Sequence, residues 1–113
     1  MKNYHLKALQ SDVEAWSYAA GRNGLTVSQW VRDTLQAVVE GKIRPDFTEE
    51  QMVRGRDPNR EEIAIDFQFR TEPEAVKYWQ TEAGHQGLGV QEWCRQALDY
   101  AAETDTNTFD VAL

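Results

Sequence analysis

Two short segments of the chain alternate apolar and polar residues, and this period of two predicts β-strands with one buried face. The clearer segment covers residues 63–70, and its apolar positions are Ile63, Ile65, Phe67 and Phe69. The other segment covers residues 2–8, where Tyr4 and Leu6 are the predicted inward positions. We expect the polar residues between these positions to face outward.

Each strand is followed by two stretches whose apolar residues recur every three or four positions, which is the period of an amphipathic helix. In the first half, the residues on the predicted inner faces are Val13, Trp16, Ala19 and Ala20, then Val27, Trp30, Val31, Thr34, Leu35 and Val38. In the second half, they are Val76, Trp79 and Ala83, then Val90, Trp93, Cys94, Ala97, Leu98 and Ala101. The pattern places all four tryptophans in a core.

Local signals predict where these helices start and stop. Ser11 or Asp12 is the predicted cap of the first helix, and Thr26 the cap of the second, with Gln29 completing a capping-box pattern. The third helix is predicted to start at the Thr71 hydroxyl, with Pro73 in its first turn. Turns are predicted at residues 21–24 and 84–87, each bounded by glycines, and Gly41 is predicted to end the second helix.

The two halves are copies of one another. A shift of 63 positions aligns them without a gap, and the aligned identical residues include two Trp pairs, Trp16/Trp79 and Trp30/Trp93, and two Gly pairs, Gly21/Gly84 and Gly24/Gly87. An internal duplication explains this register. It predicts a first unit at 1–41, a linker at 42–62, a second unit at 63–103 and a flexible tail at 104–113, with the two units forming one domain.

Composition narrows the class of protein. The chain has 113 residues and a formal net charge of −7, which argues against general coating of nucleic acids. Most of the acidity lies in residues 63–113, which carry three basic and nine acidic residues, whereas residues 1–41 are neutral overall. A single cysteine, no long apolar run and no secretory signal lead us to expect a cytoplasmic protein without membrane contact.

The order of strand, helix, glycine turn and helix resembles the ribbon-helix-helix family of DNA-binding proteins. The resemblance rests on residues 24–32, GLTVSQWVR, and more weakly on residues 87–95, GLGVQEWCR, where Gly89 replaces a hydroxyl residue. It implies a mostly α fold with a short two-stranded antiparallel ribbon, in which strand 2–8 pairs with strand 63–70. The two ribbon-helix-helix units would then form an intramolecular pseudo-dimer.

The resemblance also implies function and site residues. Double-stranded DNA would be the partner, read by the ribbon in the major groove, and no cofactor would be needed. The implied roles are those of a transcriptional repressor, an autoregulator or a plasmid-transfer accessory protein of a prokaryote, phage or plasmid. The implied base contacts are Asn3, His5, Lys7, Asp66, Gln68 and Arg70, and the implied phosphate contacts are Thr26, Val27, Ser28, Val90 and Gln91. Further assembly of pseudo-dimers on DNA is left open.

The sequence also allows other functions and other contacts. The acidic second half is compatible with a protein-interaction module, either a DNA mimic or an antitoxin whose tail, with Phe109 and Val111, docks a toxin. Arg32 and Arg95 could bind phosphates or pair with acids of a neighbouring helix. The arginines of the linker, Arg54, Arg56 and Arg60, could wrap DNA or belong to a solvated loop.

Signals for catalysis and metal binding are missing from the sequence. His5 and His85 are far apart and, with Cys94, have no metal-ligand spacing. Cys94 occupies the apolar position that Val31 holds in the first half, which predicts a buried thiol rather than a nucleophile. We therefore expect neither an enzyme nor a metalloprotein.

Overall fold

The computed structural model describes residues 1–47 and 64–104. In this part of the chain the elements are β1 Lys2–Leu9, α1 Gln10–Arg22, α2 Val27–Val39, β2 Ala64–Thr71, α3 Pro73–His85 and α4 Val90–Thr104. Four helices and one two-stranded antiparallel sheet confirm the predicted mostly helical fold. Most of the predicted linker and nearly all of the predicted tail lie outside the described residues, as do Arg54, Arg56, Arg60, Phe109 and Val111.

The strands pair along their whole length, from Lys2 opposite Thr71 to Leu9 opposite Ala64. His5 lies opposite Gln68, and the shift of 63 makes these two residues equivalent positions of the two halves. The register is therefore symmetric about this central pair.

The predicted inward faces of the strands are confirmed for the described positions, whereas Ile63 lies outside the described residues. Leu6 and Phe69 are buried, Phe67 is nearly so, and Tyr4 packs against the same core at the edge of the sheet. One face of the sheet thus packs against the helices, because alternate residues of a strand point to opposite sides.

At two helix starts the predicted capping residue is wrong, although Pro73 does lie in the first turn of its helix as predicted. α1 begins at Gln10, directly after β1, with extended Leu9 as the capping residue, so Ser11 and Asp12 lie inside the helix. Thr71 ends β2 as a buried residue, and Glu72 precedes α3, which has Pro73 at its start. β1 runs directly into α1, and its last residue, Leu9, is also the capping residue, whereas Glu72 separates β2 from α3 and caps it without a side-chain hydrogen bond.

The Thr26 cap is confirmed, but the turns are shorter than predicted, because α1 continues through Gly21 to Arg22 and α3 through Gly84 to His85. The Thr26 hydroxyl caps α2 by accepting a hydrogen bond from the Gln29 backbone N–H at 3.2 Å. Gly24 and Gly87 have φ values of +70° in the turns after α1 and α3, a conformation that glycine adopts without steric cost. Gly41, with φ of +79°, follows the end of α2.

All four tryptophans are buried, each 2% exposed or less, which confirms their predicted place in the core. Aromatic contacts join elements of the two halves: the Tyr4 ring lies 5.5 Å from the Trp79 ring, and Trp16 lies 5.7 Å from Phe67, measured between centroids. The core therefore does not divide into one core for each half.

Residues 42–47 begin the predicted linker but partly belong to the packed structure. Ile43 is buried at 4% exposure, and the Phe47 ring stacks on Trp93 with centroids 6.0 Å apart. This segment therefore runs from the end of α2 onto α4 of the other half. No helix in the described ranges is long and apolar enough to cross a membrane.

Candidate nucleic-acid interface

The outer face of the sheet carries only polar side chains at its central positions. The six residues implied as base contacts are all exposed and face one another in three pairs, Asn3 with Arg70, His5 with Gln68, and Lys7 with Asp66. They lie together because the two strands have the same phase of alternation and a register centred on His5 and Gln68. The sequence thus predicted the composition of this surface, which we call the ribbon face.

Hydrogen bonds connect three of these side chains. His5 Nδ1 lies 2.9 Å from Asp66 Oδ2 on the diagonal of the sheet. Gln68 Nε2 donates to the same oxygen at 3.5 Å. Asp66 is therefore engaged within the ribbon face, a contact that sequence reasoning missed because it depends on the cross-strand register.

The charges of the ribbon face favour an anionic partner only slightly. Lys7 and Arg70 are positive and Asp66 is negative, while Lys2 lies exposed at the end of β1. This surface differs in sign from the chain as a whole, whose formal charge is −7. Long-range attraction to DNA would therefore depend on local charge rather than on net charge.

The arginine at the β2 end of the ribbon is held by its neighbours. Arg70 Nη2 donates to the Met1 carbonyl oxygen at 3.2 Å. Arg32 Nη1 in turn donates to the Arg70 carbonyl oxygen at 3.0 Å and lies 3.9 Å from Met1 Sδ. Arg32 thus contacts the outer edge of β2 with its side chain, a role that neither of its sequence interpretations included.

Arg95, at the equivalent position of α4, makes a different contact. It forms a salt bridge with Glu92 of its own helix. Glu92 is only 5% exposed and also accepts a hydrogen bond from Gln96 Nε2 at 3.0 Å. The predicted partnership with an acid is thus found within α4 and not across to a neighbouring helix.

The start of α2 retains features of an anion site. Thr26 is exposed, whereas Val27 and Ser28 are half-buried. Backbone N–H groups at a helix start carry partial positive charge and suit a phosphate oxygen. The Thr26 hydroxyl already accepts the bond from Gln29, so its capping role is established while its phosphate role stays a prediction.

The start of α4 is arranged differently, because Gln91 binds the edge of β1. Its Oε1 accepts from the Lys7 backbone N–H at 3.0 Å, and its Nε2 donates to the His5 carbonyl oxygen at 2.8 Å and lies 3.3 Å from the Tyr4 hydroxyl. These bonds hold the side chain on the strand. Phosphate binding by Val90 and Gln91 would therefore fall to their backbone N–H groups.

A second polar cluster lies away from the ribbon, between α1 and α4. The Trp16 indole Nε1 donates to Asp99 Oδ1 at 2.8 Å. Burial, followed by the nearby carboxylate of Asp12, raises the pKa of Asp99 from 3.8 to about 7. The sequence offered one overlooked signal, since Asp99 takes the place of Gln36 beside an apolar stripe.

The described residues contain no cluster of three or more His, Cys, Asp or Glu side chains arranged to hold a metal ion. Cys94 is buried, and its burial raises the pKa of the thiol, so the reactive thiolate is disfavoured. His85 is exposed at the end of α3.

Comparisons with models of protein families, with curated proteins and with solved structures found no match to this chain.

Proposed function

We propose that this protein binds double-stranded DNA sequence-specifically by inserting the ribbon face into the major groove. The main support for the proposal is the difference between the two faces of the sheet. The inner face packs against the core, while six exposed polar residues form the outer face. A two-stranded ribbon fits the width of the major groove, and Asn, Gln, Lys and Arg side chains have hydrogen-bonding groups that match base edges there.

We propose further that the two halves form an intramolecular pseudo-dimer of ribbon-helix-helix units. The symmetric register about His5 and Gln68 supports this arrangement, as do contacts between the halves such as Tyr4 with Trp79 and Trp16 with Asp99. A single chain would then supply both strands of the ribbon. The bound DNA site would be asymmetric, because the two strands present different residues.

We infer that the protein acts in the cytoplasm as a DNA-binding regulator and catalyses no reaction. Its role would be that of a repressor, an autoregulator or a plasmid-transfer accessory protein. Phosphates flanking the groove would be held at the starts of α2 and α4. Since Lys7 and Arg70 are the cations of the ribbon face, few phosphate charges are neutralised directly. The association constant should therefore fall with salt less steeply than for strongly basic DNA-binding proteins. The expected loss is about 0.9 logarithmic units for each phosphate contact and each tenfold increase in salt concentration.

The test is selection of duplexes from a random library, followed by gel shift at about 50 and 200 mM salt. We expect one preferred sequence, and we expect the double variant Gln68→Ala, Arg70→Ala to lose that preference. The matched control replaces an exposed Gln and an exposed cation on α3, Gln80→Ala with Lys77→Ala, and should keep it. Circular dichroism checks that both variants remain folded.

Failure to retain any duplex at the lower salt concentration would overturn the proposal. It would favour the second candidate, an acidic protein-interaction module that mimics DNA or acts as an antitoxin. The observation behind that candidate is the charge of the second half, where residues 63–113 carry three basic and nine acidic residues. A DNA mimic would compete with duplex DNA for a basic DNA-binding protein, which the same gel shift can measure.

A further inference from the structure

The centre of the ribbon face holds a histidine whose protonation pattern is set by its neighbour. His5 Nδ1 lies 2.9 Å from Asp66 Oδ2, and both side chains are about half exposed, at 55% and 49%. A carboxylate oxygen only accepts hydrogen bonds, so the proton of this contact must sit on Nδ1. The Nδ1–H tautomer is therefore the one that the contact stabilises.

This tautomer determines what the other ring nitrogen can do. A neutral imidazole carries one N–H and one acceptor nitrogen, and the hydrogen bond made by one nitrogen fixes the character of the other. With the proton on Nδ1, the Nε2 atom is an acceptor. Nε2 lies across the ring from Nδ1, so the bond to Asp66 does not use it, and the His5 side chain as a whole is about half exposed.

We propose that Asp66 is a positioning residue, and that through it His5 presents a hydrogen-bond acceptor to the DNA. The partner of that acceptor would be an exocyclic amino group, N6 of adenine or N4 of cytosine, in preference to the keto oxygens of guanine and thymine. This inference rests on the proposed DNA binding. It differs from the direct base contact that the resemblance implies for Asp66.

Because His5 and Gln68 are the central pair of the register, the selected base lies near the centre of the bound site. Gln68 supports the arrangement, since its amide nitrogen also points to Asp66 Oδ2 at 3.5 Å. The carboxylate thus draws donor groups of both central residues toward itself. The groups of His5 and Gln68 that remain for the DNA therefore include more hydrogen-bond acceptors, relative to donors, than they would without Asp66.

The first experiment needs no DNA. Long-range ¹H–¹⁵N correlation spectra of the histidine rings, recorded at pH 8 where an imidazole is ordinarily neutral, distinguish the two tautomers. We expect His5 to be mainly Nδ1–H in the wild type and to lose that preference in Asp66→Ala. His85 is the internal control and should not change. A mainly Nε2–H form of His5 in the wild type, or the same tautomer ratio in both proteins, would overturn the inference.

The second experiment uses the duplex obtained by selection, with central bases replaced by analogues that lack the amino group, purine for adenine or 2-pyrimidinone for cytosine. Loss of the amino group opposite His5 should weaken wild-type binding about tenfold and leave binding by His5→Ala nearly unchanged. Asp66→Ala should reduce the tenfold ratio to near one. Glu14→Ala removes the same charge from an exposed site on α1 and should keep the ratio.

The two proposals can fail separately. If no duplex is retained, DNA binding is wrong, whatever the tautomer of His5 is. If a duplex is bound specifically but the analogues that lack the amino group bind as well as the parent bases, DNA binding stands and the role of Asp66 is wrong.

Discussion

Asp99 should give this protein a pH dependence opposite in sign to that of an ordinary carboxylate. Burial and the carboxylate of Asp12 raise its pKa in the folded protein to about 7, outweighing the hydrogen bond from Trp16, which lowers it. The folded state therefore holds this proton more tightly than the unfolded chain does. The stability contributed by the neutral carboxyl is complete below about pH 4 and is lost as the pH rises through about 7.

The size of the effect follows from the pKa. Each tenfold change in proton affinity corresponds to about 1.4 kcal/mol, and the interval from 3.8 to about 7 spans roughly three such factors. Ionising Asp99 in the folded protein thus costs at most about 4 kcal/mol. Because the side chain is only partly shielded from water, we expect about 2–3 kcal/mol.

The perturbation is Asp99→Asn, which removes the charge but keeps a carbonyl oxygen that can accept the bond from Trp16. Urea unfolding at pH 4.5 and pH 8 gives the free energy of unfolding of each protein. We compare the difference in free energy of unfolding, variant minus wild type, at the two pH values. We expect this difference to be about 2–3 kcal/mol larger at pH 8 than at pH 4.5. Asp46→Asn, at an exposed position, is the matched control and should show no such difference. An equal effect of Asp99→Asn at both pH values, or a larger one at pH 4.5, would refute the reasoning.

Three further predictions concern stability and reactivity. Gln91→Ala removes the bonds to the edge of β1 and should lower the free energy of unfolding by about 1–2 kcal/mol, with faster hydrogen exchange at the Lys7 amide; unchanged exchange would contradict it. Gly24→Ala should lower the free energy of unfolding by about 1 kcal/mol, because φ at this position is +70°. Gly21→Ala lies within α1 and has open space around the added methyl group, so it should raise the free energy of unfolding by about 0.5–1 kcal/mol. Both are measured by thermal unfolding, and equal signs would contradict the assignment of the turn. Cys94 should react with a thiol reagent such as DTNB only when the protein unfolds, and rapid native labelling would show that it is accessible.

The sequence predicted those parts of the fold that depend on neighbours along the chain. The phase of the strands follows from the alternation around Leu6 and Phe67, and the turn at Gly24 follows from its glycine. The repeat added long-range information, because it implied that the two strands are equivalent and could pair. The cap of α1 was wrong because strand pairing continues to Leu9, opposite Ala64, and the helix follows directly, so Ser11 and Asp12 lie inside it.

The candidate site was predictable in composition but not in its connections. Alternation placed His5 and Asp66 on the outer face, yet their hydrogen bond depends on a register that no local pattern encodes. Gln91 reaches β1 from a helix more than eighty residues away in sequence, and a glutamine at a helix start carries no signal for such a contact. The proton affinity of Asp99 likewise depends on α1, which packs over it.

The central pair of the ribbon, His5 opposite Gln68, has a consequence for how the ribbon face could change over generations. A ribbon assembled from two identical strands repeats each outward residue, so one mutation alters both halves of the surface. Here one chain supplies both strands, and the six outward positions are six independent choices rather than three used twice. A single substitution can therefore alter one side of the surface and leave the other intact, and the two sides are free to evolve at different rates.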